Sequence, residues 1–170
     1  MYRKGHIGAA LLAYAPLGAV TLAVGFETTA VVGALAAAGL AMVPDYDQRV
    51  PGIKHRGVTH TVRFAGVVGI GTAIVGGVVA GLHPEMGAAG VAGWAVFGGV
   101  VGTLTIIAHI GADALTPMGV EPFGDDGPHI TYGVCRADST LGNYGLLALG
   151  VAGTLLAYGI GSGLNSLLPV

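Results

Sequence analysis

"AAGVAGWAVFGGVVGTLTIIAHIGADAL", residues 88–115, carries no charged side chain until Asp113. About 20 apolar residues suffice for a helix to cross the hydrocarbon of a bilayer, so this run is long enough and continues beyond one crossing. Its apolar residues are continuous and show no alternation of period two, which predicts helix rather than strand. The run also ends on an unusual pair. His109 and Asp113 are four residues apart, so a helix places both on one face, one turn apart.

Four other segments read the same way: residues 7–26, with Pro16 as an expected kink, 28–43, 64–82 and 144–168. The composition agrees. Apolar residues make up 53% of the 170, glycine adds 32 more, and only 9% are charged; the mean hydropathy is +0.76. These values exclude an ordinary soluble domain and give no sign of nucleic-acid binding. The single cysteine, Cys135, excludes an internal disulfide and a thiolate zinc site. The first apolar run exceeds a signal-peptide core and lacks a clear cleavage pattern, so it reads as a retained helix. The expected fold is all-α: one integral membrane domain over residues 1–170, a polytopic bundle of about five spans. Gly77/Gly81, Gly98/Gly102 and Gly159/Gly163 have the small-xxx-small spacing that permits close helix contact.

Charge sets the expected orientation. Arg3 and Lys4 precede the first span. Arg49, Lys54, Arg56 and Arg63 lie at the connection between the second and third, and Arg136 lies between the fourth and fifth. With five spans all seven fall on one side. The other side, with Glu27, His83 and Glu85, has no Lys or Arg. The positive-inside rule then predicts a cytoplasmic N-terminus in a cell (inner) membrane, and a C-terminus outside.

Five of the six histidines fall on the basic side. His6 opens the first span, and Asp45 and Asp47 in "PDYD" follow the second, where Pro44 ends the helix. "HRGVTH" contributes His55, Arg56 and His60. Its histidines are five residues apart, about 500° around a helix, so they cannot share a face without a break, expected at Gly57. Thr59 is the expected cap of the third helix. His109 and Asp113 complete the set. Asp within a membrane helix costs about 2.5–3.5 kcal/mol and is usually functional. Three or four imidazoles with two or three carboxylates form a mixed nitrogen–oxygen donor set, suited to one or two Zn²⁺, Mn²⁺ or Fe²⁺ ions. The plainer alternative is that the fourth helix ends near Ile107 and that these groups are solvated loop residues. His129, Asp125 and Asp126 read as loop residues, His83 falls on the wrong side, and Asp138 and Asn143 are candidates for a supporting role.

In order, "GHIG", "VPDYD", "HRGVTHT" and "HIGADALTPMGVEPF" resemble the YdjM-type, LexA-regulated family of membrane-bound metal-dependent hydrolases, over roughly residues 5–123. His6, Asp45, Asp47, His55, Arg56, Gly57, Thr59, His60, His109, Asp113, Thr116 and Gly119 fall on that family's pattern. Two positions depart from it: Gln48 stands where His often follows the second Asp, and Thr61 where Ser is usual. The resemblance implies an inner-membrane, metal-dependent hydrolase without identifying a substrate.

The expected ligands are His6, Asp45, His60, His109 and Asp113, with Asp47 or His55 as a further ligand, base or orienting group. Arg56 is expected to stabilise an anionic substrate or transition state. A site at the membrane surface suits an amphiphile, so a membrane lipid or other phosphoester is the expected substrate class. The competing readings are a protein that handles divalent cations or protons, and a scaffold whose metal only holds its loops.

Overall fold

The computed structural model describes residues 1–168. Five long helices account for most of them: α1 (Arg3–Ala23), α2 (Glu27–Leu40), α3 (Val62–Gly81), α4 (Gly87–Ala114) and α5 (Thr140–Leu167). Each lies within a few residues of an expected span and, with its flanking turns, is long and apolar enough to cross a membrane. No strand occurs among the described residues, only an isolated bridge between Val120 and Ile130.

Local chemistry sets the ends. Pro16 lies inside α1 without ending it. Beyond α2, Pro44 opens a 3-10 turn, Pro44–Arg49, that carries Asp45 and Asp47. A second short turn, Val58–His60, leads into α3. The α3 cap is Thr61, whose hydroxyl accepts from the Phe64 amide, and not Thr59 as the sequence suggested. Thr59 Oγ1 is drawn instead to the Asp47 carboxylate, 2.9 Å away. Ser139 caps α5 by accepting from the Gly142 amide.

Two helix pairs form the bundle. In the first, α1 and α5 meet at backbone distance: a Cβ on Gly8 would stand 2.3 Å from the Leu146 carbonyl oxygen, and one on Gly150 2.2 Å from that of Gly8. Farther along, Gly161 meets Ala19 and Leu22. Contacts rise together along both helices, so the two run parallel, as an odd number of crossings requires. In the second pair α3 and α4 run antiparallel, Gly76 against Trp94 and Gly98 against Thr72. Helix α2 packs on α1 and α4. Of the glycine pairs singled out from spacing, Gly98 and Gly102 meet α3, whereas Gly81, Gly159 and Gly163 face open space.

The inner contacts are small. Ala10, Tyr14, Ala37, Ala41 and Val101 form one cluster, and Ala65, Ile106, Ile110, Ala114 and Val120 a second. Tyr14 donates its hydroxyl hydrogen to the Ala30 carbonyl at 2.7 Å, which satisfies a phenol far from water. Larger apolar side chains such as Ile70, Ile74, Leu155 and Leu156 point outward, as expected where lipid replaces solvent. The connection 116–139 folds back under the bundle. Its Tyr132 and Val134 amides donate to the Ala114 and Leu115 carbonyls at 2.7 and 2.8 Å, and satisfy the C-terminal end of α4.

Candidate metal centre

Helix α4 does not stop at Ile107. It runs to Ala114, so His109 and Asp113 project from its last turns and are buried, with 0 and 1% of their surface exposed. That rules out the solvated-loop alternative for this pair. The first turns of α1 bring His6 beside them, also 0% exposed, and its ring stacks on that of His109 with centroids 3.6 Å apart. The two 3-10 turns supply Asp45 and His60.

Three imidazole nitrogens and two carboxylates converge. His60 Nε2 lies 3.2 Å from His109 Nε2, 3.4 Å from Asp45 Oδ1 and 3.5 Å from Asp113 Oδ2. His109 Nε2 lies 3.6 Å from Asp45 Oδ1 and 3.8 Å from Asp113 Oδ2. His6 Nε2 stands 3.5 Å from Asp113 Oδ1 and 3.7 Å from Asp45 Oδ2. Bonds of about 2.0–2.1 Å at a tetrahedral angle put neighbouring donor atoms about 3.3–3.4 Å apart. The observed separations bracket that value.

Two further observations fit a cation. Asp113 Oδ2 is buried with the His60 and His109 ring nitrogens as its neighbours, at 3.5 and 3.8 Å, and is left to face the cluster while Arg56 and the Met1 amino group hold Oδ1. In addition, His109 Nδ1 sits 2.7 Å from the Ala41 carbonyl. A carbonyl only accepts, so the proton is on Nδ1 and the Nε2 lone pair is directed at the cluster, the arrangement typical of ligating histidines. His6 is held differently. Its Nε2 lies 3.0 Å from the Met1 carbonyl oxygen, so by the same rule the proton is on Nε2, and its Nδ1 has no partner; ligation through Nε2 requires His6 to give up that contact and that proton. The Met1 amino group also contacts Asp113. Two overlapping groups have the spacing to hold an ion: His6, Asp45, His109 and Asp113, and Asp45, His55 and His60. Asp45 belongs to both.

Asp47 stands one layer out. Its buried carboxylate accepts from Thr59 Oγ1 at 2.9 Å, from His55 Nδ1 at 3.0 Å and from the Arg56 amide at 3.2 Å, and lies 3.4 Å from His60 Nδ1. It thereby ties the 54–60 segment to the turn after α2 and, through Thr59 Oγ1, which lies 3.0 Å from His60 Nδ1, holds His60 with Nε2 inward. His60 lies outside the spans. Burial favours its neutral form, but hydrogen bonds with Asp113 and Asp45 outweigh this and hold its pKa above the ordinary imidazole value.

Arg56 is turned inward. Its guanidinium, 9% exposed, donates to Asp113 Oδ1 at 2.7 Å, to the Gly119 carbonyl at 2.8 Å and to Thr116 Oγ1 at 3.0 Å. Its backbone adopts φ +60°, which costs an L-residue about 1–2 kcal/mol. The break expected at Gly57 is present, since Gly57 is non-helical and precedes the Val58–His60 turn, and it begins at Arg56. The segment carrying His55 is further tied to the 116–139 connection by exposed Lys54, 3.5 Å from Glu121 and 3.2 Å from Asp125.

The remaining polar residues separate from the cluster. His83 pairs with Glu85 beyond the other end of α3, and half-exposed His129 lies 3.8 Å from Glu121. Asp138 pairs with Arg136 at the surface. Asn143 is buried and accepts from the Tyr2 amide at 2.8 Å, which anchors the start of α1, and so His6, to α5. Of the two candidates for a supporting role, Asn143 thus acts through the backbone that carries His6, while Asp138 does not reach the cluster. Glycine 5, directly before His6, leaves the room: a Cβ there would stand 2.7 Å from Asn143 Oδ1.

A family model described as YdjM inner membrane protein matches residues 1–164. No curated protein and no solved structure matches the chain.

Proposed function

The chain belongs to the YdjM inner membrane protein family, and on that premise we propose that it is a metal-dependent hydrolase working at the cytoplasmic membrane surface. The observation that carries the reading is the convergence of three imidazoles and two carboxylates in a buried cluster exposed chiefly at Asp45. Its location where helices meet connecting turns suits an amphiphilic substrate, such as a phospholipid or other lipid phosphoester, whose tails remain in the bilayer.

His6, Asp45, His60, His109 and Asp113 would hold the cation, Zn²⁺, Mn²⁺ or Fe²⁺ by donor chemistry. When bound, such an ion supplies a water of lowered pKa and polarises the bond under attack. The chain's own residues do the rest. Arg56 fixes the Asp113 carboxylate and joins the 54–60 segment to the turn at Thr116–Gly119. Its bound acceptors make it a positioning residue, while the anion contact expected of it falls to other groups. Asp47 orients His55 and His60. His55, with Nδ1 on Asp47 and its side chain 39% exposed, is placed to carry a proton between the site and water. A content of one ion per chain leaves His55 for that role; two would make it a ligand of the second.

Ion transit is the weaker reading. Helices α3 and α4 offer Thr72, Thr103 and Thr105 along their length, and the Thr72 and Thr105 hydroxyls are bonded to carbonyls of their own helices. A permeating ion needs polar groups directed into a path. The test is release of head group from membrane lipids by purified protein supplied with Zn²⁺ or Mn²⁺. Release that disappears in His109→Ala is expected; no release from any lipid ends the hydrolytic reading.

A further inference from the structure

The exposed edge of the cluster opens into a cavity of about 210 Å³ between the start of α1, the end of α2 and the turn that follows it. Arg3 and Arg49 flank it, Tyr46 and Met42 line it, and Asp45 is part of its wall. Arg49 lies over the Tyr46 ring, 5.1 Å from its centre. Among the described residues neither arginine has a carboxylate partner, in contrast to Lys54, Arg56 and Arg136. Two uncompensated guanidiniums beside one small cavity are suited to a doubly or singly charged oxyanion, which each can engage with paired donors.

The same face of α2 continues into the membrane. Ala38, Gly39 and Met42 line this cavity, while Val31, Ala34 and Leu35, one to two turns deeper, line an apolar groove of about 220 Å³ between α1, α2 and α5. Residues 31, 34, 35, 38, 39 and 42 form one helical stripe. A charged cavity at the surface and an apolar groove beneath it match the two halves of an amphiphile.

We propose that this face of α2 binds the phosphate head group of an anionic membrane lipid between Arg3 and Arg49, with an acyl chain along the groove below. This would deliver the head group to the Asp45 edge of the cluster. The inference rests on the hydrolytic reading only for the fate of the bound lipid; binding itself requires no turnover.

The test is lipid retention by detergent-solubilised full-length protein, read by native mass spectrometry with and without Zn²⁺. Phosphatidylglycerol, phosphatidylcholine, soluble glycerol phosphate and inorganic phosphate serve as probes. The wild type should retain phosphatidylglycerol at least tenfold better than phosphatidylcholine, and neither soluble anion should displace it at equal concentration. Arg3→Gln/Arg49→Gln should lose at least four-fifths of that preference with unchanged metal content, and Arg3→Lys/Arg49→Lys should keep part of it. An unchanged preference in the Gln variant overturns the proposal, as does equal binding of the soluble anions, which would indicate a phosphate site without a lipid. Loss of the Lys variant's preference along with its metal and thermal stability would make the arginines structural, and so overturn it too. Retention that depends on the arginines in protein without hydrolytic activity would leave this site standing while the hydrolytic reading falls.

Discussion

Asp47→Asn separates a residue that orients the centre from one that belongs to it. The carboxylate uses one oxygen for His55 Nδ1 and the other for the Arg56 amide and Thr59 Oγ1. An amide of the same shape keeps one acceptor and presents N–H groups where the other stood. Turned one way, the amide sets an N–H against the buried Arg56 N–H, at a cost of about 1–3 kcal/mol in stability; turned the other way, it requires His55 to carry its proton on Nε2 so that Nδ1 accepts. The consequence for the metal is indirect. His60 Nδ1 is bonded to Thr59 Oγ1 at 3.0 Å, and Thr59 Oγ1 in turn donates to Asp47, so the variant loosens a relay to His60; removal of an outer contact of this kind typically weakens metal binding about 10–100-fold, or about 1.4–2.7 kcal/mol. Chelator competition gives the affinity, and elemental analysis at saturating metal gives the stoichiometry. The expected result is weaker binding at unchanged stoichiometry. Loss of a whole ion per chain would make Asp47 a ligand, and wild-type affinity would show that His60 needs no such support.

Three other outcomes follow from the same geometry. Gly150→Leu sets a Cβ 2.2 Å from the Gly8 carbonyl oxygen and must push α1 from α5, whereas Gly159→Leu meets nothing within 4 Å; the first should lose about 1–3 kcal/mol of stability and the second almost none, as thermal unfolding in detergent will report. Because His60 is held above its ordinary pKa and must be neutral to bind a cation, metal affinity should rise with pH through and above about 6.5 and fall on acidification. Calorimetry in buffers of different ionisation enthalpy should detect proton release near neutrality, and its absence would contradict the assigned state. For sidedness, cysteines at exposed Asp125 and Glu85 in a Cys135→Ser background should be labelled from opposite faces, Asp125 from the cytoplasm; the reverse pattern would invert the proposed orientation.

The five helices were legible because hydropathy decides membrane spans almost alone. The i, i+4 spacing of His109 and Asp113 likewise needed only a continuous helix, and the parity of five crossings brought His6, Asp45, His60 and that pair to one end. What the sequence left open depends on rotation and backbone detail. Glycine spacing marked Gly159/Gly163 as readily as Gly98/Gly102, because spacing does not tell which helix face meets a neighbour. The contact that sets α1 against α5, Gly8 on Gly150, has no local signature, since its two members lie far apart in sequence. Arg56 looked like a surface anion binder because its charge is visible in sequence while its left-handed backbone is not. The Ala41 carbonyl that fixes His109 is a main-chain atom that no residue type announces. The arginines beside the cavity, Arg3 and Arg49, were read only as markers of orientation.

The proposed centre has His6, Asp45, His60, His109 and Asp113 around a cation. Elemental analysis of the purified wild type beside the His109→Ala/Asp113→Ala variant tests it most directly. One or two equivalents of a transition metal or zinc are expected in the wild type, with loss of at least one from the variant and the variant still helical by circular dichroism. Equal metal in both proteins, or none in the wild type after Zn²⁺, Mn²⁺ and Fe²⁺ have each been supplied, would contradict it.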